Sequence, residues 1–291
     1  MIQPVEYFAP KKLKDALDLL EEHAEDYKII CGGQSLLILM RQGLVAPAAV
    51  IDIKGLSELD YVNNDAGQGT RIGTITTHRT IEKSDLIIKN YPVLSNMEKR
   101  LASIQTRNRG SIGGNVCHGD PAGDPSPVLI ALDASLKLQT AKGERVVKVE
   151  DFYTDYFETI LEHGEMLTEI QIPDARPFSG TAYQKFNIIS SDMATVGIGV
   201  SITLNGKDGT CKDCRIAMGN VAPTAKRATK AEEVLKGNKI TDDLLSKAGE
   251  IASTETDPIS DINASADYRR ELVKIMVKRM GADALNQANK A

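Results

Sequence analysis

The first rhythm along the chain is helical. Between Pro10 and Ala24, Leu13, Ala16, Leu17 and Leu20 fall on one face with charged residues opposite, which predicts an amphipathic helix. The pattern then shortens to the apolar run Tyr27 to Cys31, a strand. Gly32 and Gly33 follow, and Leu36 to Met40 begins a helix that reaches Gln42. Gly43 ends that helix, and Val50-Ile51-Asp52-Ile53 is a second short strand, so an α/β unit closes near Leu56.

A second unit begins with a strand over Thr70 to Ile75. Thr76 or Thr77 caps a helix running to about Ser84, and Pro92 opens another that ends near Ala102. Val128 to Leu132 begins a buried helix, while Ser135 to Gln139, Arg145 to Val149 and Met166 to Ile172 alternate as strands. Asp174 to Gly180 reads as a linker. Beyond it, Tyr183 to Ile188, Ala194 to Leu204 and Cys214 to Met218 are expected as three antiparallel strands. The helices Thr224–Leu235, Asp242–Ser253 and Asp267–Met280 finish a third, α+β module. The expected domains are residues 1–56, 57–175 and 176–291, with no internal repeat.

Composition removes several functions. The net charge is −5, with no basic block and no basic–aromatic interleaving, which disfavours nucleic acid. No apolar run approaches the roughly 20 residues that span a bilayer. Met1 to Glu6 lacks the charged-then-apolar signature of a secretion signal, so a cytoplasmic location is expected. The four cysteines, at 31, 117, 211 and 214, make no disulfide framework. Cys211 and Cys214 are a close pair with no second pair to complete a zinc or iron–sulfur set, and they read as a strand-edge coincidence. The absence of Trp argues against an aromatic-lined carbohydrate groove.

The chemistry concentrates in Thr106 to Pro125. Gly110, Gly113, Gly114 and Gly119 let the chain turn tightly and approach a ligand closely, and the exposed amides of such a turn suit phosphate. Asp120 and Asp124 follow, each braced by a proline. Cys31-Gly32-Gly33-Gln34-Ser35 is a second patch of the same kind: strand, glycine turn, helix start, with Ser35 placed as N-cap. Neither patch ends in Gly-Lys-Ser/Thr or fits Gly-x-Gly-x-x-Gly, so a triphosphatase and a Rossmann site are unsupported. His23, His78, His118 and His163 show no metal-ligand spacing, and no Gly-x-Ser-x-Gly elbow exists. Tyr183 and Lys185 alternate on one strand, which matters only if that strand lines a cleft.

Taken together, Cys31-Gly32-Gly33-Gln34-Ser35-Leu36 and Thr106 to Asn115 with Asp120-Pro121 and Asp124 resemble the two FAD loops of the medium subunits of molybdenum hydroxylases. That family includes the flavoprotein subunit of carbon monoxide dehydrogenase and the central domain of xanthine dehydrogenase. Val50-Ile51-Asp52-Ile53, Ile170-Gln171-Ile172-Pro173, Tyr183-Gln184-Lys185-Phe186 and Gly219-Asn220-Val221-Ala222-Pro223-Thr224 fall in family order, so the resemblance covers nearly the whole chain.

The resemblance implies a two-lobed α+β FAD-binding domain of the vanillyl-alcohol-oxidase (PCMH) type. A small C-terminal α+β domain with a three-stranded antiparallel sheet and three helices would follow. By family position, Ile29, Ile30, Cys31, Gly32, Gly33, Gln34, Ser35, Leu36, Leu101, Ser111, Ile112, Gly113, Gly114, Asn115, Asp124, Leu167 and Lys185 should contact FAD. The pyrophosphate would rest on the amides of Gly32 to Ser35 and Ser111 to Asn115, and the FAD itself would supply donors to Asp124. Replacing Gly113 or Gly114 by Val should then abolish FAD retention with the fold intact. No catalytic residue or metal ligand is expected of this chain.

A large partner with molybdopterin would oxidise the substrate, and a small partner with [2Fe–2S] clusters would relay electrons to this FAD. NAD, oxygen or another acceptor would take them, and two heterotrimers would pair. The rivals are a stand-alone flavin oxidase and a non-catalytic nucleotide-binding scaffold. Two features depart from relatives: no basic residue lies between Lys185 and Asp192, and Met193 stands where a relative carries an aromatic. The long iron–sulfur insertion of the 4-hydroxybenzoyl-CoA reductase flavoprotein subunit is absent.

Overall fold

Each predicted α/β or α+β unit builds its own sheet. The structure is a computed structural model that describes residues 4–23, 26–65, 67–189, 191–206 and 209–291. Met1 to Gln3, Ala24 at the expected end of the first helix, and Ser190 lie outside the described residues.

The first unit runs β1 (Glu6–Phe8), α1 (Leu13–Glu22), β2 (Tyr27–Ile30), α2 (Leu36–Gln42) and β3 (Ala49–Asp52). Its sheet is parallel, in the order β1-β3-β2. The central strand β3 is buried along its whole length, as a parallel strand covered on both faces must be. Ala16, Leu17 and Leu20 of α1 join Ile51, Ile53 and Leu56 in one core, the face the periodicity marks out. At three residues, β1 is too short to show alternation in the sequence.

The second unit comprises β4 (Val62–Asp65), β5 (Gly69–Gly73), α3 (His78–Lys83), α4 (Asp85–Asn90), α5 (Pro92–Arg100), α6 (Ile104–Arg109), α7 (Ile112–His118) and α8 (Pro125–Ala131). It continues with β6 (Ser135–Gln139), β7 (Glu144–Lys148), β8 (Tyr153–Asp155), β9 (Glu158–Thr159) and β10 (Met166–Ile172). The antiparallel sheet has the order β4-β5-β10-β6-β7, and β8 pairs with β9 alone. The glycine-rich stretch is largely helical. Thr106 to Arg109 end α6, Gly110 and Ser111 form the turn, and Ile112 to His118 are α7. Ser103 and Ser111 cap the two helices, each accepting from a backbone N–H three residues on.

The third unit is β11 (Ser179–Phe186), β12 (Val196–Leu204), β13 (Cys211–Gly219), β14 (Lys226–Arg227), α9 (Thr229–Leu235), α10 (Asp242–Thr254) and α11 (Ala266–Ala288). The three expected strands are joined by the two-residue β14, giving an antiparallel sheet β11-β12-β13-β14. The expected linker already gives way to strand at Ser179, and the helix expected from Thr224 starts at Thr229 because Lys226–Arg227 pair with β13.

Glycines let helices close on this sheet from both sides. A Cβ on Gly180 would sit 2.2 Å from Ala284 O of α11, and one on Gly199 would sit 2.8 Å from Pro127 O of α8. The seven residues of α8 are all buried. This helix of the second unit therefore docks on the third unit's sheet and brings Asp124, just before it, to strand β11. Among the described residues, no helix is long and apolar enough to cross a membrane.

Candidate functional site

Strand β2 ends at Ile30, beside Asp52 of β3, and the chain turns through Cys31 to Ser35 before entering α2. Gly33 has φ +67°, the left-handed region that glycine tolerates. The amides of Gly32, Gly33, Gln34 and Ser35 find no acceptor among the described residues. Ser35 occupies the N-cap position, yet its side chain makes no capping bond. Four N–H groups at a helix start are thus unpaired among the described residues, an arrangement that suits an anionic phosphate.

The second loop differs from the expectation. Ile112 N donates to Thr76 O at 3.1 Å, Gly113 N to Thr74 O at 3.1 Å, Gly114 N to Ser111 Oγ at 3.2 Å and Asn115 N to Ser111 O at 3.0 Å. Those four amides are already satisfied within the chain, and only Ser111 N lacks an acceptor among the described residues. Gly113 is buried, and a Cβ there would lie 1.8 Å from Thr74 Oγ1 and 2.6 Å from Thr74 O. Gly113 is a packing glycine against its own chain. Gly114 is exposed, with only Ser111 Oγ near its Cβ position, at 3.0 Å. Of the two, Gly114 offers the open surface.

The two loops touch. A Cβ on Gly32 would lie 2.3 Å from Arg109 O and 2.6 Å from Gly110 Cα. Burial pushes the Cys31 thiol's pKa up, and the neighbouring Ser111 opposes that shift. Cys31, at the end of the first loop's strand, and Ser111, at the head of the second loop's helix, therefore lie together at the seam of the two lobes.

Asp124, at the start of α8, is held from the third unit. Tyr183 Oη donates to Asp124 Oδ1 at 2.6 Å and Lys185 Nζ donates to Oδ2 at 2.7 Å; Asp124 and Lys185 are 6% and 7% exposed. The donors this buried carboxyl needs come from β11 rather than from FAD hydroxyls or a ring N–H. Burial pushes the Asp124 carboxyl up, while Lys185 and Tyr183 pull it down. The alternation of Tyr183 and Lys185 thus gains its meaning from a partner far away in sequence. Lys185 Nζ also donates to Asp192 O at 3.0 Å, pinning the β11–β12 connection, where Ile188, Ile189 and Met193 are exposed.

The other expected contacts are spread over the first two units. Ile29 and Cys31 pack against the first core, and Ile30 and Leu36 flank the first turn. Leu101 ends α5, and its carbonyl accepts from Arg107 Nη1 at 2.8 Å. Leu167 is buried in β10, and the next carbonyl, of Thr168, accepts from Thr74 N behind Gly113. A cleft between α5 and β11 is bordered by Met97, Arg100, Tyr183 and Lys185. A separate cleft includes Asp133, Asp213, Arg176 and Arg215, whose charges pair among themselves, and none of the expected residues lines it.

Sequence reading missed the buried pair His78 and Glu98, whose Nδ1 and Oε2 are 2.8 Å apart. Nothing in the sequence links a helix start to a helix end 20 residues on. Cys211 and Cys214 are buried in the third core, where Cys211 Sγ donates to Asp213 O at 3.5 Å. Among the described residues, no group of three or more His, Cys, Asp or Glu side chains is placed to hold a metal.

Two lobes meeting at glycine turns, with free amides at the seam, define a dinucleotide-binding protein. Comparison with known proteins gives the family. Residues 3–175 match the FAD binding domain in molybdopterin dehydrogenase, and residues 181–284 match the CO dehydrogenase flavoprotein C-terminal domain. The chain is 35% identical to the carbon monoxide dehydrogenase medium chain of Hydrogenophaga pseudoflava over 99% of this chain and 98% of that one. It is 35% identical to the nicotine 6-hydroxylase medium subunit of Paenarthrobacter nicotinovorans over 96% and 97%. The solved carbon monoxide dehydrogenase from Hydrogenophaga pseudoflava superposes with a TM-score of 0.93, at 35% identity, over 98% of both chains. This chain belongs to the FAD-binding medium subunits of the molybdenum hydroxylases.

Proposed function

We propose that this chain relays electrons for a heteromeric molybdenum hydroxylase. Its FAD takes them from [2Fe–2S] clusters of a small partner subunit and passes them to NAD, oxygen or another acceptor. A large partner holds the molybdopterin centre where the substrate is oxidised. The observation that carries the reading is the set of unpaired amides, Gly32 to Ser35 and Ser111, gathered where the two lobes meet.

In this reading the division into residues 1–56, 57–175 and 176–291 sets the FAD between the first two units and under the third. The FAD pyrophosphate rests on the amides of Gly32 to Ser35 and of Ser111. The exposed Gly114 and the half-buried Asn115 admit it, while Ile112 and Gly113 hold the loop from behind. Ile29, Ile30, Cys31, Leu36, Leu101 and Leu167 supply apolar walls against the rings. Lys185, held by Asp124, fixes a positive charge beside them. Bound FAD supplies the redox chemistry, and the protein contributes binding, orientation and electrostatics. Iron–sulfur clusters need sets of thiolates, and the buried Cys211 and Cys214 pair makes no such set. We assign those clusters to the partner, the complex to the cytoplasm, and its assembly to a pair of heterotrimers.

Purification of the native complex tests this. Flavin absorbance at one FAD per chain, together with co-purifying large and small subunits, is the expected result. A lone yellow chain that oxidises a small substrate by itself points to the oxidase, and a colourless chain that takes up no FAD points to a scaffold.

A further inference from the structure

The second loop is braced by residues 74–78, and the brace ends in a buried acid. Gly113 N and Ile112 N donate back to Thr74 O and Thr76 O, and His78 N donates to Gly110 O at 3.0 Å. Gly110 is the residue whose Cα meets Gly32 of the first loop. The His78 ring lies directly behind it, for a Cβ on Gly110 would be 3.2 Å from His78 Cδ2. That ring is held in turn by Glu98, Nδ1 to Oε2 at 2.8 Å, with His78 2% and Glu98 0% exposed. Glu98 Oε1 is buried with no hydrogen-bond partner. A carboxylate bonded only to a ring, deep in the second core, is costly unless it serves something.

Resting on the FAD reading above, we propose that Glu98, acting through the His78 ring, is a positioning residue: the pair holds Gly110, and with it the second loop, in register against Gly32. The chain of contacts Glu98, His78, Gly110, Gly32 is continuous, so a shift of the ring moves the seam along which the pyrophosphate lies. Leu101, an expected FAD contact, follows Glu98 by three residues as the C-cap of α5, so the helix that carries the brace ends at that contact.

The pair also holds a proton. That proton lies between Glu98 Oε2 and His78 Nδ1, across the 2.8 Å contact. Burial pushes the Glu98 carboxyl up, His78 opposes this, Asp124 pushes it further up and Arg107 pulls it down. The titratable and charged groups around Glu98 are therefore the His78 ring from α3, Arg107 from α6, and Asp124 before α8 with its partner Lys185 of β11. Arg107 is engaged by Glu82 and Lys185 by Asp124, so loss of the proton leaves a buried negative charge without a counter-ion. The sign follows. A carboxyl whose folded value is raised stabilises this arrangement while protonated, and that stability drains as pH rises from the ordinary 4.5 through the raised folded value.

The test uses the full chain stripped of FAD, measuring the FAD dissociation constant by flavin fluorescence and the thermal midpoint of the FAD-free chain, from about pH 5 to about pH 9. Glu98→Gln, which keeps the shape and a donor for Nδ1, should bind FAD within about threefold of wild type and lose the weakening at high pH. Glu98→Leu should bind FAD about tenfold or more weakly, the scale of one buried hydrogen bond and its unpaired partner. His78→Asn, whose amide reaches where Nδ1 does, should retain FAD better than His78→Leu. Wild-type uptake of FAD matched by Glu98→Leu overturns the positioning role. Should Glu98→Leu fail to fold, identical pH profiles for wild type and Glu98→Gln overturn it instead. A wild-type chain that takes up no FAD overturns the FAD reading itself.

Discussion

Gly32 and Gly110 meet backbone to backbone: a Cβ on the first would lie 2.6 Å from the Cα of the second and 2.3 Å from the preceding carbonyl oxygen. No rotamer relieves such an overlap, because both opposing atoms are main chain. Gly32→Ala should therefore part the two loops, destabilise the chain by about 2–3 kcal/mol and lower FAD content. Urea unfolding and flavin absorbance check both halves, and a stable variant with full FAD would show that the seam is not tight.

The neighbouring glycines 113 and 114 should behave differently from each other. Gly113→Val drives its Cβ into Thr74, including the main-chain oxygen, and is expected to cost more than about 3 kcal/mol. Gly114→Val meets only a serine hydroxyl at 3.0 Å and should leave stability within about 1 kcal/mol while FAD is lost. Thermal melts of the FAD-free variants separate the two effects.

Asp124→Ala should cost about 3–5 kcal/mol, because it strands the Lys185 ammonium in a buried site. The Asp120 side chain accepts from Ala122 N within its own turn, so Asp120→Ala should cost about 1 kcal/mol. FAD retention should fall more for Asp124→Ala. Equal losses in the two variants would mean the buried pair contributes nothing beyond the turn.

Acid stability should depend on Glu165. Its carboxyl accepts from Arg145 Nε and Nη2, both at 2.7 Å, and that pairing holds it below the ordinary glutamate value against the opposing effect of burial. A depressed folded value gives stability that is present above the ordinary 4.5 and is lost as pH falls through the folded value. Because Arg145 is partly exposed, solvent screening limits the gain to about 1 kcal/mol. Glu165→Gln should flatten the acid limb of the stability curve, read by urea unfolding at stepped pH.

Much of the fold is legible in the sequence because its signals are local. The face of α1, the apolar β3, the alternating β6 and β10, and the turn at Gly33 each declare themselves within a few residues. What was illegible depends on partners. Helix α6 buries none of its residues, so it has no apolar rhythm to find; Ser103 caps it and Arg107 docks it on Leu101, Ala102 and Glu82. Strands β1 and β14 form only because β3 and β13 offer an edge. The expected end of the last helix at Met280 falls before Gly281, which instead sits inside α11, where its missing side chain makes room for Leu245 of α10.

The site divides in the same way. Glycine turns announce the seam, but nothing in the spelling of Ser111 to Asn115 tells that four of its amides are already bonded to the chain. Nor does the sequence pair Asp124 with Lys185, 61 residues on. Those facts belong to tertiary packing, and they leave the unpaired amides mostly in the first loop.

Amide hydrogen exchange resolved around the two loops, with and without FAD, tests that assignment most directly. The amides of Gly32, Gly33, Gln34, Ser35 and Ser111 should exchange quickly in the FAD-free chain and slow markedly when FAD is added. Those of Ile112 and Gly113 should be slow in both. Unchanged exchange across Gly32 to Ser35 in a chain carrying one FAD would contradict the account.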